Sequence, residues 1–407
     1  MRLLLSAALA GIGSLVLAPQ KEEAPNYTQH VAPVLRDHCV SCHQAGGSAP
    51  FSLATYGQAK QWSSMSASVI DSRRMPPWKP AEEGVFHDEN RLSSEDLRIL
   101  RAWEKGGRLK GPETPSAVTP VIEPAIEASD KILHPAKPYV VNAGAEDEYR
   151  YFVVRNPYSE TKWLRCADLR PGNPRVVHHM TAFLDESGQA ERVAKSADGQ
   201  AGFASKNGGR FTPSAVLAFW APGMTKRPFP EGTAMRLPPK AAIVLQVHYV
   251  STGKAECDNW SLGLRLADAP PAKPIVTVLM ERKDFKIPAG AAAHEIVEEI
   301  PVPRDVTLHA LMPHAHALAR GLKAEAILPD GTKRPLVTIT DWDPAWQSMY
   351  WFKKPAQLPK GSKIRFAVTY DNSAANLRNP NQPPREVRHG EGAKDEMHLL
   401  GMLVTPD

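Results

Sequence analysis

Arg175-Val176-Val177-His178-His179-Met180 decides how this chain is read, because a β-branched approach into two adjacent imidazoles describes a strand that carries metal-ligand chemistry. Three later fragments belong with it: Gln246-Val247-His248-Tyr249, Met312-Pro313-His314-Ala315-His316 and Asp395-Glu396-Met397-His398. Singly each is weak, since a histidine on a strand is more often packed or hydrogen-bonded than a ligand. Together they supply three imidazoles, and then two imidazoles plus a thioether. Imidazole suits several transition metals, whereas an added thioether favours copper, above all reduced copper, over zinc or magnesium. Two copper ions are therefore the expectation.

Strand geometry sets conditions on both groups. Side chains alternate across a strand, so His314 and His316, two residues apart, point the same way and can share one ion. His178 and His179 are adjacent and face opposite sides of a regular strand, so one ion can take both only if the strand ends or bulges there. His248 shares a face with Val244 and Gln246, and read alone it is more simply a satisfied core histidine.

Around these motifs the pattern is strand-like. Short apolar or β-branched runs cover 150–155, 161–166, 176–184, 241–250 and 261–266. A proline-rich interruption at 268–274 separates them from runs at 275–279, 295–300, 307–311, 322–328, 363–370 and 397–404. The expected architecture is two successive antiparallel β-sandwiches, 139–270 and 275–407. One large sandwich is the alternative, and the proline interruption argues against it.

Ahead of them lies a different composition. Residues 27–36 read as a helix running into Cys39-Val40-Ser41-Cys42-His43, the pattern for covalent attachment of c-type haem with the histidine as proximal iron ligand. A redox dithiol or half a zinc site are the competing readings. Met75, in Arg74-Met75-Pro76-Pro77-Trp78, is the preferred sixth ligand because flanking prolines hold it extended, and Met65 is the alternative. A closing helix at 94–106 starts at a Ser93/Ser94 cap. Residues 26–111 resemble a small all-α class I cytochrome c domain, and residues 112–138 are a Pro-rich linker.

Residues 1–18 have the form of a secretory signal, with one Arg, an apolar run and a Val-x-Ala ending. Removal near Ala18 implies a periplasmic or secreted protein, and a membrane association only if the segment is retained. Export allows disulfides and haem attachment, so Cys166 and Cys257 can pair in one disulfide, although spacing leaves their geometry open. The 407 residues exceed one typical core, and 42% apolar content supplies material for several. The formal charge of +5 is spread without a Lys/Arg block, which argues against nucleic acid as a partner.

The order His-His-Met, Gln-Val-His-Tyr, His-x-His and Asp-Glu-Met is similar to that of the copper type II, ascorbate-dependent monooxygenases, a family that includes peptidylglycine alpha-hydroxylating and dopamine beta-monooxygenases. The likeness covers residue 139 to the end. It implies a jelly-roll-like sandwich for each copper, with His178, His179 and His248 on the first and His314, His316 and Met397 on the second, the dioxygen-activating one. The implied chemistry inserts one atom of dioxygen into a C–H bond, the other leaving as water, with two electrons per turnover from ascorbate or a reduced redox protein. The haem segment in front suggests that single electrons pass through haem c to the three-His copper. Peptide-hydroxylating members carry an Arg, an Asn and a Tyr where this chain has Met312, Leu399 and Gly401. A substrate carboxylate loses its charged partner here, so a small or apolar substrate is expected. His309 and His398 read as supporting or surface histidines, and Trp342, Trp346, Tyr350 and Trp351 as core in preference to a pocket lining. The function expected is an exported haem–copper monooxygenase. The alternative is a non-catalytic electron-transfer or copper-binding protein.

Overall fold

The computed structural model describes residues 24–112, 126, 129–195, 202–205, 208–224 and 226–407. The expected signal segment, and residues 113–125 and 127–128 of the expected linker, lie outside them.

Four helices occur among the described residues. Asn26 caps a π-helical turn, Tyr27–Val31, that runs into α1 (Ala32–His38). The side chain of Thr55 accepts from the Gln58 N–H to start α2 (Tyr56–Asp71), and Ser93 with Asp96 forms a reciprocal capping box for α3 (Ser94–Lys105). The fourth, α4 (Gln189–Lys195), lies far along the chain. None is long and apolar enough to cross a membrane.

The rest is strand. The first half carries β1 (Lys131–Leu133), β2 (Tyr139–Val141), β3 (Glu148–Arg155), β4 (Lys162–Arg170), β5 (Val177–Asp185), β6 (Phe203–Ala204), β7 (Ala215–Trp220), β8 (Thr233–Leu237), β9 (Ala242–Tyr249), β10 (Glu256–Asp258) and β11 (Ser261–Leu266). The second carries β12 (Lys273–Glu281), β13 (Lys286–Ile287), β14 (His294–Pro301), β15 (Val306–His314), β16 (Ala319–Ile327), β17 (Lys333–Ile339), β18 (Tyr350–Leu358), β19 (Lys363–Tyr370), β20 (Val387–Arg388) and β21 (Leu399–Pro406). They form five open sheets: an eight-stranded one in the order β1-β11-β4-β8-β12-β21-β15-β18, a five-stranded one β6-β3-β9-β5-β7, a four-stranded one β14-β19-β16-β17, and the pairs β10-β2 and β13-β20.

This corrects the expected fold class of a small all-α cytochrome c domain followed by two separate antiparallel, jelly-roll-like β-sandwiches. The eight-stranded sheet runs through the supposed boundary, because β12 pairs in parallel with β8 (Lys273 opposite Thr233, Ile275 opposite Met235) and antiparallel with β21. The physical reason lies in β21, Leu399-Leu400-Gly401-Met402-Leu403-Val404. A continuous apolar run suits a strand covered on both faces. Leu400, Met402 and Val404 join one core with Leu308, Phe366 and Leu322, whereas Leu403 joins the other with Leu164, Ile243 and Trp260. One strand thus serves two cores, one shared with the four-stranded sheet and one with the five-stranded sheet.

The helical segment is not a self-contained α domain either. Tyr27, Leu35, Leu100 and Trp103 build a small core of their own. Between α2 and α3, however, the chain runs through turns and bends and bridges to the β body at Pro80–Ile339 and Phe86–Phe352. Phe86 is 0% exposed, packed in the core with Leu308 and Phe366, its ring 5.1 Å from that of Phe352 and 5.4 Å from that of Tyr350. Phe86, with Trp78 and Val85 packed beside it, belongs to the β core, so the helical segment does not stand apart as an all-α unit.

Candidate metal centres

The first centre is built where β5 and β9 run side by side. The pairing aligns Val177 with Tyr249 and His179 with His248, so His178 is the extra residue of a β-bulge. The bulge removes the strict alternation that would send His178 and His179 to opposite faces. Donor atoms of His178, His179 and His248 all lie within 4.8 Å of one another, and the Nδ1 atoms of His178 and His179 are 3.0 Å apart. Metal–nitrogen bonds of about 2.0 Å place two nitrogens of one ion about 3 Å apart, so the spacing suits shared coordination.

Protonation suits it too. Burial pushes His178 down to about 4, helped by the neighbouring His248, and holds His179 well below the usual imidazole range. Neutral imidazoles are the form that ligates. Neither ring nitrogen of the buried His248 has a hydrogen-bond partner, and Asp147 Oδ2 at 3.5 Å is a long contact. The ring is held instead by Tyr149, stacked at 4.3 Å and 14°. A buried imidazole with two orphaned nitrogens is costly unless something accepts its lone pair, and a metal ion does so.

His314 and His316 end β15 and begin the following loop, their rings 5.3 Å apart. Gln347 Nε2 donates to the Pro344 carbonyl at 2.8 Å, which turns its Oε1 toward His314, 2.7 Å from Nδ1. His316 Nδ1 lies 3.0 Å from the Asp395 carbonyl. Both Nδ1 atoms therefore carry the proton and donate, leaving both Nε2 lone pairs free for a metal. Burial lowers His314, and lowers His316 to about 3 with His314 adding to the shift. Met397 lines the same cavity of about 190 Å³ as His314, His316 and His179. The chemistry of this donor set, two neutral imidazoles with a thioether in the same cavity wall, fits a soft ion. Among the described residues, the His178 group is the set of three or more His, Cys, Asp or Glu donors that converges on one point.

The Cys39-Val40-Ser41-Cys42-His43 motif follows α1 in a tight turn, with the Cys42 and His43 N–H groups both donating to the Cys39 carbonyl. His43 Nδ1 lies 3.1 Å from the Phe51 carbonyl, which fixes the ring and leaves Nε2 unclaimed. Cys39, Cys42, His43 and Met75 line one cavity of about 410 Å³, whose other walls include Leu35, Ile70 and Leu100. Two free thiols, an oriented imidazole and a thioether around an apolar space fit a covalently held haem. Met65 lines the same cavity, so the choice between the two methionines is one of position within it. The far wall comes from the β body, and includes Arg175, His178, Gly223 and Trp346.

The expected disulfide does not form. Cys166 is buried on β4 of the eight-stranded sheet, and Cys257 is exposed on β10 of a two-stranded one; both are free. Their two strands belong to different sheets, which the linear spacing could not reveal. His309 and His398 are buried, not on the surface, His309 holding Thr405 Oγ1 at 2.9 Å and His398 packed against Phe366. Trp342 and Tyr350 are core, whereas Trp346 lines the cavity of the thiols. Sequence reading missed Gln347, Tyr149 and the part played by Glu396. Neither Gln347 nor Tyr149 sits in a motif, and only folding brings them to the histidines.

No family model and no curated protein matches the chain. Among solved structures it is similar to the VP2 subviral particle of infectious bursal disease virus (9% identity, 70% of this chain and 74% of that one, TM-score 0.21). It is also similar to the major capsid protein P2 from bacteriophage PM2 (9%, 68% and 97%, TM-score 0.28) and to allantoicase (11%, 64% and 80%, TM-score 0.17). Likenesses at these TM-scores carry no conclusion about this chain.

Proposed function

We propose that this chain is an exported, haem- and copper-dependent monooxygenase that inserts one atom of dioxygen into a C–H bond of a small, largely apolar substrate. The observation that carries the reading concerns two neighbours. His178 lines the cavity of Cys39, Cys42 and His43, and His179 lines the cavity of His314, His316 and Met397. The three-imidazole group thus stands between the two other candidate sites.

Copper and haem c, when bound, supply the one-electron steps and the dioxygen reactivity that such an oxygenation needs. The chain's own residues do the rest. Gln347 and the Asp395 carbonyl hold the His314 and His316 rings with their Nε2 atoms free. Burial keeps these imidazoles neutral. Phe219, Leu279, Met312 and Leu399 line the adjoining space and would exclude water from a C–H bond placed there. The polar groups of that lining are paired among themselves, Glu281 with His389 at 2.8 Å and Lys283 at 3.0 Å, and Glu391 with the Tyr151 hydroxyl at 2.6 Å. Met312 standing where an Arg would grip a carboxylate supports a substrate without one. The reductant in this reading is a reduced redox protein or an ascorbate-like donor.

A screen of small apolar compounds under labelled dioxygen, with reductant supplied, tests the proposal. One labelled oxygen atom per product molecule is expected. Peroxide with unlabelled product would instead identify an oxidase. Reversible metal reduction without dioxygen consumption would identify a non-catalytic electron-transfer protein.

A further inference from the structure

The loop that carries His316 and the segment that carries Met397 are separated by eighty residues of chain, yet one side chain joins them. Glu396 is 0% exposed. Its Oε2 accepts the backbone N–H of His316 at 2.8 Å, and its Oε1 accepts that of Leu318 at 2.6 Å. Oε2 also accepts the N–H of Met397 at 3.3 Å. The preceding residue completes the link, because the Asp395 carbonyl accepts the hydrogen bond that His316 Nδ1 donates at 3.0 Å. His316 is therefore held at its backbone and at its ring by two consecutive residues whose next neighbour is the thioether. The Glu396 backbone is itself anchored, its N–H donating to the Arg388 carbonyl at 3.1 Å and its carbonyl accepting from Gly390.

A fully buried carboxyl group is costly to desolvate, and the three N–H bonds that it accepts offset that cost. The three N–H donors here lie on both sides of the donor set, and none belongs to a regular strand ladder. Peptide groups in such a loop have no ladder partner, so the spacing between imidazole and thioether depends on the Glu396 carboxyl group. We propose that Glu396 is a positioning residue that sets the His316–Met397 spacing, and with it the ability of His314, His316 and Met397 to hold one copper ion. This rests on the reading of that donor set given above.

The test is copper loading of the full chain under anaerobic, reducing conditions, with X-ray absorption at the copper edge as the readout. Wild-type protein is expected to take two copper ions, one with a sulfur neighbour, and Met397→Ala to lose the sulfur signal. Glu396→Gln keeps the shape but places an NH2 donor against backbone donors. It is expected to drop to one copper ion without sulfur, the three-imidazole ion remaining. Glu396→Asp keeps the carboxyl group on an arm one methylene shorter, and is expected to fold and to weaken the sulfur-containing site about tenfold. Wild-type stoichiometry and sulfur signal in Glu396→Gln would overturn the inference. If that variant does not fold, unchanged affinity in Glu396→Asp would overturn it. Wild-type protein without any sulfur-bound copper would sink the assignment of the donor set itself, and the inference with it.

Discussion

Gln347 shows how much a metal ligand owes to a residue that never touches the metal. With its amide nitrogen committed to Pro344, its oxygen can only accept from His314, and this selects one tautomer. Gln347→Leu fills similar space without an acceptor, so copper affinity at His314 is expected to fall about 10- to 100-fold, measured by competition titration with a chelator. The protonation of these rings has a separate consequence. His178 is lowered to about 4 from an ordinary value of 6.5. In the unfolded chain it takes a proton as the pH drops through 6.5, but in the folded chain it does so only near 4. The stability it contributes is present in full above about 6.5 and is lost as the pH falls toward 4. Melting temperatures of metal-free protein should therefore decline across that window, and a rise on acidification would contradict the burial argument. The imidazoles themselves were legible in the sequence as types and spacings. Their partners were not, since Gln347 is thirty-three positions from His314 and its amide orientation depends on Pro344.

The bulge in β5 and the irregular connection between α2 and α3 each carry more than their length suggests. Adjacent histidines required an irregular strand, and the offset between Val177 and His179 supplies it. A one-residue deletion of Val177 is expected to restore alternation and separate the two rings, reducing copper at the three-imidazole group below one ion per chain by metal analysis. The connection was harder to read. Nothing in the local pattern around Phe86 distinguishes an aromatic that packs beneath a cofactor from one that plugs a neighbouring core. Phe86 is wholly buried among Phe352, Tyr350 and Trp78, so Phe86→Ala is expected to cost about 3–5 kcal/mol in denaturant unfolding. A change under about 1 kcal/mol would show that the helical segment merely rests on the β body. The capped start of α3 was readable from Ser93, because a capping box is a local hydrogen-bond pattern and needs no tertiary partner.

The eight-stranded sheet binds both halves of the molecule into one hydrogen-bonded unit. Because β8 and β12 pair across the proline-rich interruption at 268–274, and β21 faces two cores, neither half can unfold without exposing the other's apolar face. Chemical denaturation followed by tryptophan fluorescence and by far-ultraviolet circular dichroism should give coincident transitions, and two separated ones would contradict this. The same continuity brings the five-stranded sheet of His179 and the strand ending at His314 to the walls of a single cavity. By itself the sequence determined the strand-rich body, the helices ahead of it, the Cys-x-x-Cys-His turn and the kinds of donor atom available, because each depends on residue type and short-range periodicity. Only the tertiary structure decided that the strands of the described residues form five open sheets around two main cores, that Cys166 and Cys257 stay apart, and that His178 and His179 open onto different cavities. Those outcomes follow from which apolar faces meet across the chain, and a pattern of period two is the same whichever strand lies alongside it.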